Sequence, residues 1–143
     1  MTNLILKMIH TTHTIRVRYA ETDPMKYVYY GNYATYFEVA RVELFRTLGM
    51  PYDDIEKRGI WLPVSEFSIK YLKPALYDQN LEIHTFIKKV PGVRIDFEYE
   101  IYNDSKEKIT EAKTTLFFLD AESNKIIKCP DFLMELLMKN WRE

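Results

Sequence analysis

The chain has 143 residues, and its 20 Lys and Arg nearly balance its 21 Asp and Glu, giving a formal net charge of -1. This length fits one domain with a continuous core, so we expect residues 1–143 to form a single domain. The balanced charge gives no general attraction to nucleic acid or to a membrane surface, and we predict neither as a partner. No apolar run approaches the roughly 20 residues that span a bilayer, which predicts a cytoplasmic protein. The one cysteine, Cys129, excludes an internal disulfide, and no obvious base lies beside it, so we predict an unreactive thiol.

The chain begins with a predicted strand and a loop. Polar and apolar residues alternate from Thr14 to Tyr19, which places Ile15, Val17 and Tyr19 on one face of a strand. Residues 1–8 precede this pattern and are predicted to be a loose extension. Pro24 biases Asp23 away from the helical region, so a turn or loop follows the strand.

A long helix is predicted after the capping pair Gly31-Asn32. Apolar residues recur there at helical spacing: Tyr33, Phe37, Ala40, Leu44 and Leu48. Gly49 and Pro51 end the pattern. At about 1.5 Å per residue, the helix is long enough to lie across a sheet.

The second half of the chain reads mainly as strands. Four strands are predicted from extended or alternating patterns: Trp61 to Leu72, Leu81 to Lys88, Ile95 to Ile101 and Lys108 to Leu119. A short helix is predicted from Asp131 to Asn140. This is an α+β layout in which an antiparallel sheet of about five strands buries one face on the long helix. A sheet wrapped around one central helix is the hotdog arrangement, although other helix-on-sheet folds fit the same pattern.

Common catalytic motifs are missing from the sequence. It has no G-x-S-x-G elbow, phosphate-binding loop, dinucleotide fingerprint or zinc-type Cys and His spacing. The three histidines, His10, His13 and His84, are not spaced near a candidate nucleophile and are predicted to be surface residues. Neither metal-dependent nor serine-hydrolase chemistry is therefore predicted.

Asp23 is the remaining catalytic candidate. A carboxylate acts as a general base on water or as a nucleophile on an acyl carbon, and a nearby helix N-terminus offers N–H groups to the oxyanion that forms. These two parts are the minimum for hydrolysing a thioester. The residues alone, however, favour a turn-forming aspartate whose side chain accepts hydrogen bonds from nearby backbone N–H groups.

Two segments of the sequence resemble a known family. The string from Arg18 to Tyr33, followed by Tyr36 to Arg41, resembles the signature of the 4-hydroxybenzoyl-CoA thioesterase family, including its branch of small bacterial acyl-CoA thioesterases. The segment from Ile69 to Ala75, with Asp78, looks like the second conserved segment of that family. The resemblance extends from about Thr14 to Leu119.

The resemblance implies a hotdog fold in a homodimer, often a dimer of dimers, with active sites between subunits. Asp23 matches the catalytic aspartate, the backbone N–H of Tyr30 matches the group that polarises the thioester carbonyl, and Gly31 lets the chain pack closely. Many relatives carry Gly in place of Lys26 and His in place of Tyr30. The backbone donor does not depend on the side chain. No cofactor is implied, because coenzyme A is part of the substrate.

Tyrosines near Asp23 are candidates for an acyl pocket. Tyr27, Tyr29 and Tyr30 suit an aromatic or short acyl group, although packing against the helix is the simpler role for at least two of them. Glu38 is a second acidic candidate in the site. Its spacing to Arg41 also predicts an i,i+3 ion pair with a purely structural role.

Basic residues for the CoA phosphates are predicted on one hairpin. Lys88, Lys89 and Arg94 flank it and would form a clamp, while the alternative is a solvated strand end.

The predicted function is hydrolysis of a short-chain or aromatic acyl-CoA, with an acyl carrier protein as another carrier of the acyl group. An acyl-thioester dehydratase of the same fold needs a catalytic histidine with a carboxylate, and none lies between Asp23 and Glu38. A non-catalytic acyl-CoA-binding or regulatory module remains the other alternative.

Overall fold

The computed structural model describes residues 7–142. Within that range the chain forms seven strands, three α-helices and a short 3₁₀ helix, Tyr19–Glu21. The strands are β1 (Ile9–Arg16), β2 (Ile60–Trp61), β3 (Val64–Tyr71), β4 (Asn80–Ile87), β5 (Arg94–Tyr102), β6 (Lys108–Asp120) and β7 (Lys125–Ile127). The helices are α1 (Asn32–Thr47), α2 (Tyr52–Lys57) and α3 (Asp131–Lys139).

The sheet is antiparallel throughout and is organised around β6. The order β1-β4-β5-β6 continues to β3, which pairs with β6 from Tyr71 to Val64, and the last residues of β6 pair with β2 and β7. The 13 residues of β6 exceed the eight of β3, so its end is available to the two short strands. The prediction of about five strands therefore missed β2 and β7. Pro63 separates β2 from β3 because proline lacks the N–H that a continuous strand would use.

The core lies between α1 and the inner faces of β4 and β5. The inward residues of both strands are fully or almost fully buried, as the alternation predicted: Leu81, Ile83, Thr85, Ile87, Ile95, Phe97, Tyr99 and Ile101. On α1, the rings of Phe37 and Phe45 contact those of Tyr99 and Phe97, with centroids 4.4 and 6.0 Å apart. Each such side chain contributes about 1.5–3 kcal/mol through burial, which makes this layer the main source of stability.

The helical layer is larger than a single long helix. The 16 residues of α1 agree with the predicted helix, but α3 adds nine more and buries Leu133 and Leu137 completely. A sheet wrapped around one central helix is therefore an incomplete description. No helix among the described residues is both long and apolar enough to cross a membrane.

Two predictions at the start of the chain were wrong. Met8 was assigned to a loose extension, but it exchanges backbone hydrogen bonds of 2.6 and 3.0 Å with Arg142, and Ile9 next to it belongs to the core. Residues 1–6 lie outside the described part of the chain. Tyr19 was placed on the same face of the first strand as Ile15 and Val17, but that strand ends at Arg16, and Tyr19 begins the 3₁₀ helix with an exposed ring.

Candidate active site

The two segments that carry the family resemblance pack against each other. The N–H of Val28 donates to the carbonyl of Ala75 at 2.8 Å, and the N–H of Tyr77 donates to the carbonyl of Lys26 at 3.0 Å. Ala75 is completely buried at this junction. Loops separated by about 50 residues in sequence thus form one structure beside the start of α1.

Asp23 organises a tight turn with one of its carboxylate oxygens. Its Oδ1 accepts the N–H groups of Met25 at 2.9 Å and Tyr27 at 3.1 Å. Its backbone N–H donates to the carbonyl of Tyr27 at 2.8 Å. Within residues 7–142, its Oδ2 accepts no hydrogen bond. The turn-forming role that the residues alone favoured is therefore real, and it leaves one oxygen available for chemistry.

Lys26 has a backbone conformation that favours glycine. Its φ is +64°, in the left-handed region where a Cβ atom is unfavourable. The turn requires this conformation, because the N–H of Lys26 donates to the carbonyl of Asp23 at 2.8 Å. The lysine therefore adopts this left-handed conformation at a cost of about 1 kcal/mol.

The backbone before α1 supplies the second chemical group. The N–H of Asn32 donates to the carbonyl of Tyr29 at 2.9 Å, whereas the N–H of Tyr30 has no hydrogen-bond acceptor among the described residues. It lies beside the helix N-terminus, whose dipole favours negative charge. At Gly31, an added Cβ would lie 2.8 Å from Cε1 of Tyr29, so the glycine gives that ring room to pack.

A cleft of about 570 Å³ brings these groups together. It is lined by the Asp23 turn, by the segment before α1 with Tyr33, and by the end of β3 and the residues after it: Asp23, Tyr27, Val28, Tyr29, Tyr30, Tyr33, Tyr71, Leu72, Lys73 and Pro74. The rings of Tyr33 and Tyr71 meet edge to face at 5.2 Å, and those of Tyr29 and Tyr30 lie 4.8 Å apart. Burial raises the pKa of Tyr33, so its hydroxyl stays neutral. The cleft is a mainly aromatic pocket with one carboxylate at its wall.

Glu21 holds the Asp23 turn against α1, a role that the sequence reasoning missed. Its Oε1 accepts the N–H of Arg18 at 2.8 Å and the hydroxyl of Tyr36 at 2.9 Å, while its Oε2 accepts Nε of Arg18 at 3.1 Å. Its carbonyl accepts the N–H of Tyr29 and Nδ2 of Asn32. Partial burial opposes ionisation, but these hydrogen bonds prevail and lower the pKa of Glu21. The role of Glu21 could not be predicted from residue spacing, because its hydrogen-bond partners come from three separate segments.

Glu38 does not lie at the cleft. It is exposed on α1, and it does not line the pocket that contains Asp23. The predicted ion pair with Arg41 is also not formed in the described part of the chain. Arg41 is buried instead, and its Nη1 donates to the hydroxyl of Tyr99 at 3.0 Å.

The predicted phosphate clamp lies at the far end of the sheet within one chain. β4 begins beside Arg16, just before the Asp23 loop, and Lys88 and Lys89 follow its other end. Eight strand residues, about 26 Å, separate the two ends. Arg94 starts β5 at that same far end. The cation at the cleft is Lys73, which forms an ion pair with Glu107.

The histidines and the cysteine lie away from the cleft lining. His10 and His84 form a hydrogen bond of 2.7 Å on the outer face of the sheet, and Nε2 of His84 lies 2.6 Å from Oε1 of Glu82. Residues 7–142 contain no group of three or more His, Cys, Asp and Glu side chains arranged to hold a metal ion. Burial raises the pKa of the Cys129 thiol to about 12, which agrees with the predicted unreactive cysteine.

Comparison with known proteins supports both the fold and the chemistry. Residues 17–137 match the model of the thioesterase-like superfamily. A putative acyl-CoA thioesterase of Bacillus subtilis, YneP, is 40% identical over 114 residues, covering 80% of this chain and 83% of the relative. The acyl-CoA thioester hydrolase YbgC of Escherichia coli is 28% identical over 74% of this chain and 79% of its own length. The crystal structure of a DHNA-CoA thioesterase from Staphylococcus aureus is 36% identical, with a TM-score of 0.84 and coverage of 91% and 89% of the two chains. The curled antiparallel sheet with α1 on its inner face is thus a hotdog thioesterase fold.

Proposed function

The chain belongs to the thioesterase-like superfamily and is a thioester hydrolase of the acyl-CoA type, and we propose that it cleaves a short-chain or aromatic acyl-CoA to the free acid and CoA. Asp23 drives the hydrolysis in this proposal, and the backbone N–H of Tyr30 stabilises the oxyanion. One observation supports this proposal above all: Oδ2 of Asp23 and the backbone N–H of Tyr30 belong to residues that line the same cleft. Within residues 7–142, neither of these two groups forms a hydrogen bond with the protein.

Asp23 can drive thioester hydrolysis by two mechanisms from the same position in the cleft. As a general base, Asp23 takes a proton from water while the water oxygen attacks the thioester carbon. As a nucleophile, Asp23 attacks that carbon itself and forms an anhydride, which water then hydrolyses. In both routes the carbonyl oxygen becomes an oxyanion near the Tyr30 N–H, the C–S bond breaks, and the CoA thiolate leaves. Only protein groups and water take part.

The cleft lining supports an aromatic or short acyl group. Five tyrosine rings border it, and a planar acyl group gains from stacking or edge contacts with such rings. The Staphylococcus aureus relative acts, by its name, on DHNA-CoA, and we place the substrate of this chain in the same broad class of acyl-CoA esters. We further propose that the enzyme is a homodimer and that it is cytoplasmic.

Two alternatives are weaker. A dehydratase needs a catalytic histidine, and none of the residues that line the cleft is histidine. A binding module without turnover would use the same cleft. It is distinguished by binding an acyl-CoA without releasing thiol.

The test is thiol release from a panel of acyl-CoA esters by the wild type and by Asp23→Asn. Asparagine keeps an oxygen to accept the Met25 and Tyr27 N–H groups, so the turn should survive while the base is lost. We expect turnover to fall by at least about 100-fold. Asp54→Asn, on the exposed face of α2, is the matched control and should retain wild-type turnover. Absence of wild-type turnover on every ester, with ligand still bound, would favour the binding module.

A further inference from the structure

Thr110 carries a buried hydroxyl group that has no partner. It lies on β6 opposite the buried Ile101, and its own side chain is completely buried. Its Oγ1 is the one buried side-chain nitrogen or oxygen within residues 7–142 that forms no hydrogen bond. Buried hydroxyl groups are almost always paired, because an unpaired one has lost its contacts with water and gained nothing in their place. The core therefore contains one polar atom that its own packing does not explain.

Two tyrosine rings separate Thr110 from the cleft. Tyr71 lies directly opposite Thr110 in the pairing of β3 with β6, so the two side chains share one face of the sheet. Tyr33, on α1, meets the Tyr71 ring edge to face at 5.2 Å. Burial raises the pKa of Tyr33, and the Ala75 backbone and the Thr110 side chain oppose that rise, which places both groups near the phenol oxygen. Both rings line the cleft, whereas Thr110 does not.

Tyr33 marks the deep end of the cleft. Among the tyrosines that line it, the exposed fraction falls from 67% at Tyr30 to 2% at Tyr33. The backbone N–H of Tyr30, proposed above as the oxyanion donor, therefore lies towards the open end. An acyl group whose carbonyl oxygen is bound there directs its far end inwards, towards the rings of Tyr33 and Tyr71. These two rings are the first barrier that a longer acyl group meets.

We propose that Tyr33 and Tyr71 form a gate that limits the length of the acyl group, and that the space behind this gate ends at Thr110. The inference rests on the proposed function for the identity of the ligand. A short or planar acyl group packs against the two rings. A longer straight chain must displace the Tyr71 ring, which is the more exposed of the two, and this displacement costs free energy. The closed gate therefore selects against longer acyl groups.

Removal of the Tyr71 ring tests the gate. Isothermal titration with non-hydrolysable butanoyl-CoA and octanoyl-CoA analogues gives Kd, and thiol release from the two esters gives kcat/KM. In Tyr71→Ala we expect the preference for octanoyl over butanoyl to rise by about 10-fold or more in both measurements, since methylenes that enter an apolar pocket contribute on this scale. Tyr71→Phe keeps the ring and should keep the wild-type preference. Tyr102→Ala removes a strand tyrosine that does not line the cleft and should not change the preference either. An unchanged preference in a folded Tyr71→Ala would overturn the gate; Tyr71→Val serves as the second variant if the alanine variant does not fold.

A second substitution tests whether the longer chain reaches Thr110. In Tyr71→Ala, water can reach the Thr110 hydroxyl, and an entering chain must displace that water and leave the hydroxyl unpaired. Thr110→Val replaces the hydroxyl with a methyl group. Added to Tyr71→Ala, it should tighten binding of the octanoyl-CoA analogue by a further factor of about five. In the wild-type background it should leave the length preference unchanged, because the gate is closed. Equal effects in the two backgrounds, or no effect in either, would show that the chain does not enter this space.

Binding and turnover together separate this inference from the proposed function. If Tyr71→Ala gains the preference for the octanoyl-CoA analogue while the wild type releases thiol from no ester, the gate stands and the proposed function fails. If both proteins release thiol and share the same length preference, the gate is overturned and the proposed function stands.

Discussion

Two tyrosines in this molecule have opposite environments. Tyr99 is 2% exposed between α1 and the sheet, and its hydroxyl contacts Arg41 and Thr114. Tyr30 is 67% exposed at the cleft, and its backbone N–H has no acceptor within residues 7–142. Buried polar groups are almost always paired, so Tyr99 belongs to a region built for stability. The cleft instead has unpaired polar groups and accessible rings, which suit the catalytic role proposed for it.

The largest expected effect is on stability, in the buried region. Phe97→Ala removes a fully buried ring that contacts Phe45, and we expect it to lower the free energy of unfolding by about 3–5 kcal/mol. Denaturant titration measures this loss. Tyr30→Ala in the exposed region should change stability by no more than about 0.5 kcal/mol. Equal losses of unfolding free energy in Phe97→Ala and Tyr30→Ala would show that the buried layer and the cleft contribute equally to stability.

The second prediction separates the backbone of Tyr30 from its side chain. Tyr30→Pro deletes the N–H, and we expect thiol release to fall by about 100-fold, as is usual for one oxyanion donor. Tyr30→Ala keeps the N–H and should retain kcat within about 10-fold. Circular dichroism checks that both variants fold. Full turnover by a folded Tyr30→Pro would exclude this amide as the donor.

The third prediction concerns the pH dependence of stability and Glu21, which holds the Asp23 turn against α1. Hydrogen bonds lower the pKa of Glu21 in the folded state, so its stabilising contribution is present above the unfolded value of about 4.3 and is lost as pH falls through the folded value. Glu21→Gln should cost about 2 kcal/mol at pH 7 and flatten the fall in stability below about pH 4.3. Unfolding titrations at several pH values measure both effects. If the loss of stability below about pH 4.3 is the same in Glu21→Gln as in the wild type, Glu21 does not hold the turn through its charge.

The smallest expected effect is at Lys26. Lys26→Gly relieves the left-handed conformation and should raise the free energy of unfolding by about 1 kcal/mol. The thermal midpoint measures this gain. Turnover should stay near the wild-type value, because the turn around Asp23 keeps its shape. Destabilisation by Lys26→Gly would mean that the entropy of the unfolded glycine chain outweighs the strain.

The sequence predicted the buried region far better than the cleft. The inward residues of β4 and β5 alternate strictly and are all buried, because a half-buried strand imposes a period of two. The three residues of β7 are too few to show any period. The split of the predicted strand from Trp61 to Leu72 was missed although Pro63, which separates β2 from β3, is a local signal for it.

The site needed information that local pattern does not contain. The resemblance pointed to Asp23, Tyr30 and Gly31, and to the segment ending at Ala75, and the structure brings these together. Lys88, Lys89 and Arg94 lie one full strand length from the Asp23 loop of the same chain, and their role as a phosphate clamp stays a prediction. The length of a strand was predictable, but which of its ends lies beside the loop depends on the order of the strands. That order is set by packing across the whole sheet.

The most direct test of the central claim compares binding and turnover in Asp23→Asn. Isothermal titration with a non-hydrolysable acyl-CoA analogue gives Kd, and thiol release with the corresponding ester gives kcat. We expect a Kd within about threefold of the wild type and a kcat lowered by at least about 100-fold, because the cleft keeps its shape and loses its base or nucleophile. A folded Asp23→Asn that binds the analogue and still turns over at the wild-type rate would contradict it.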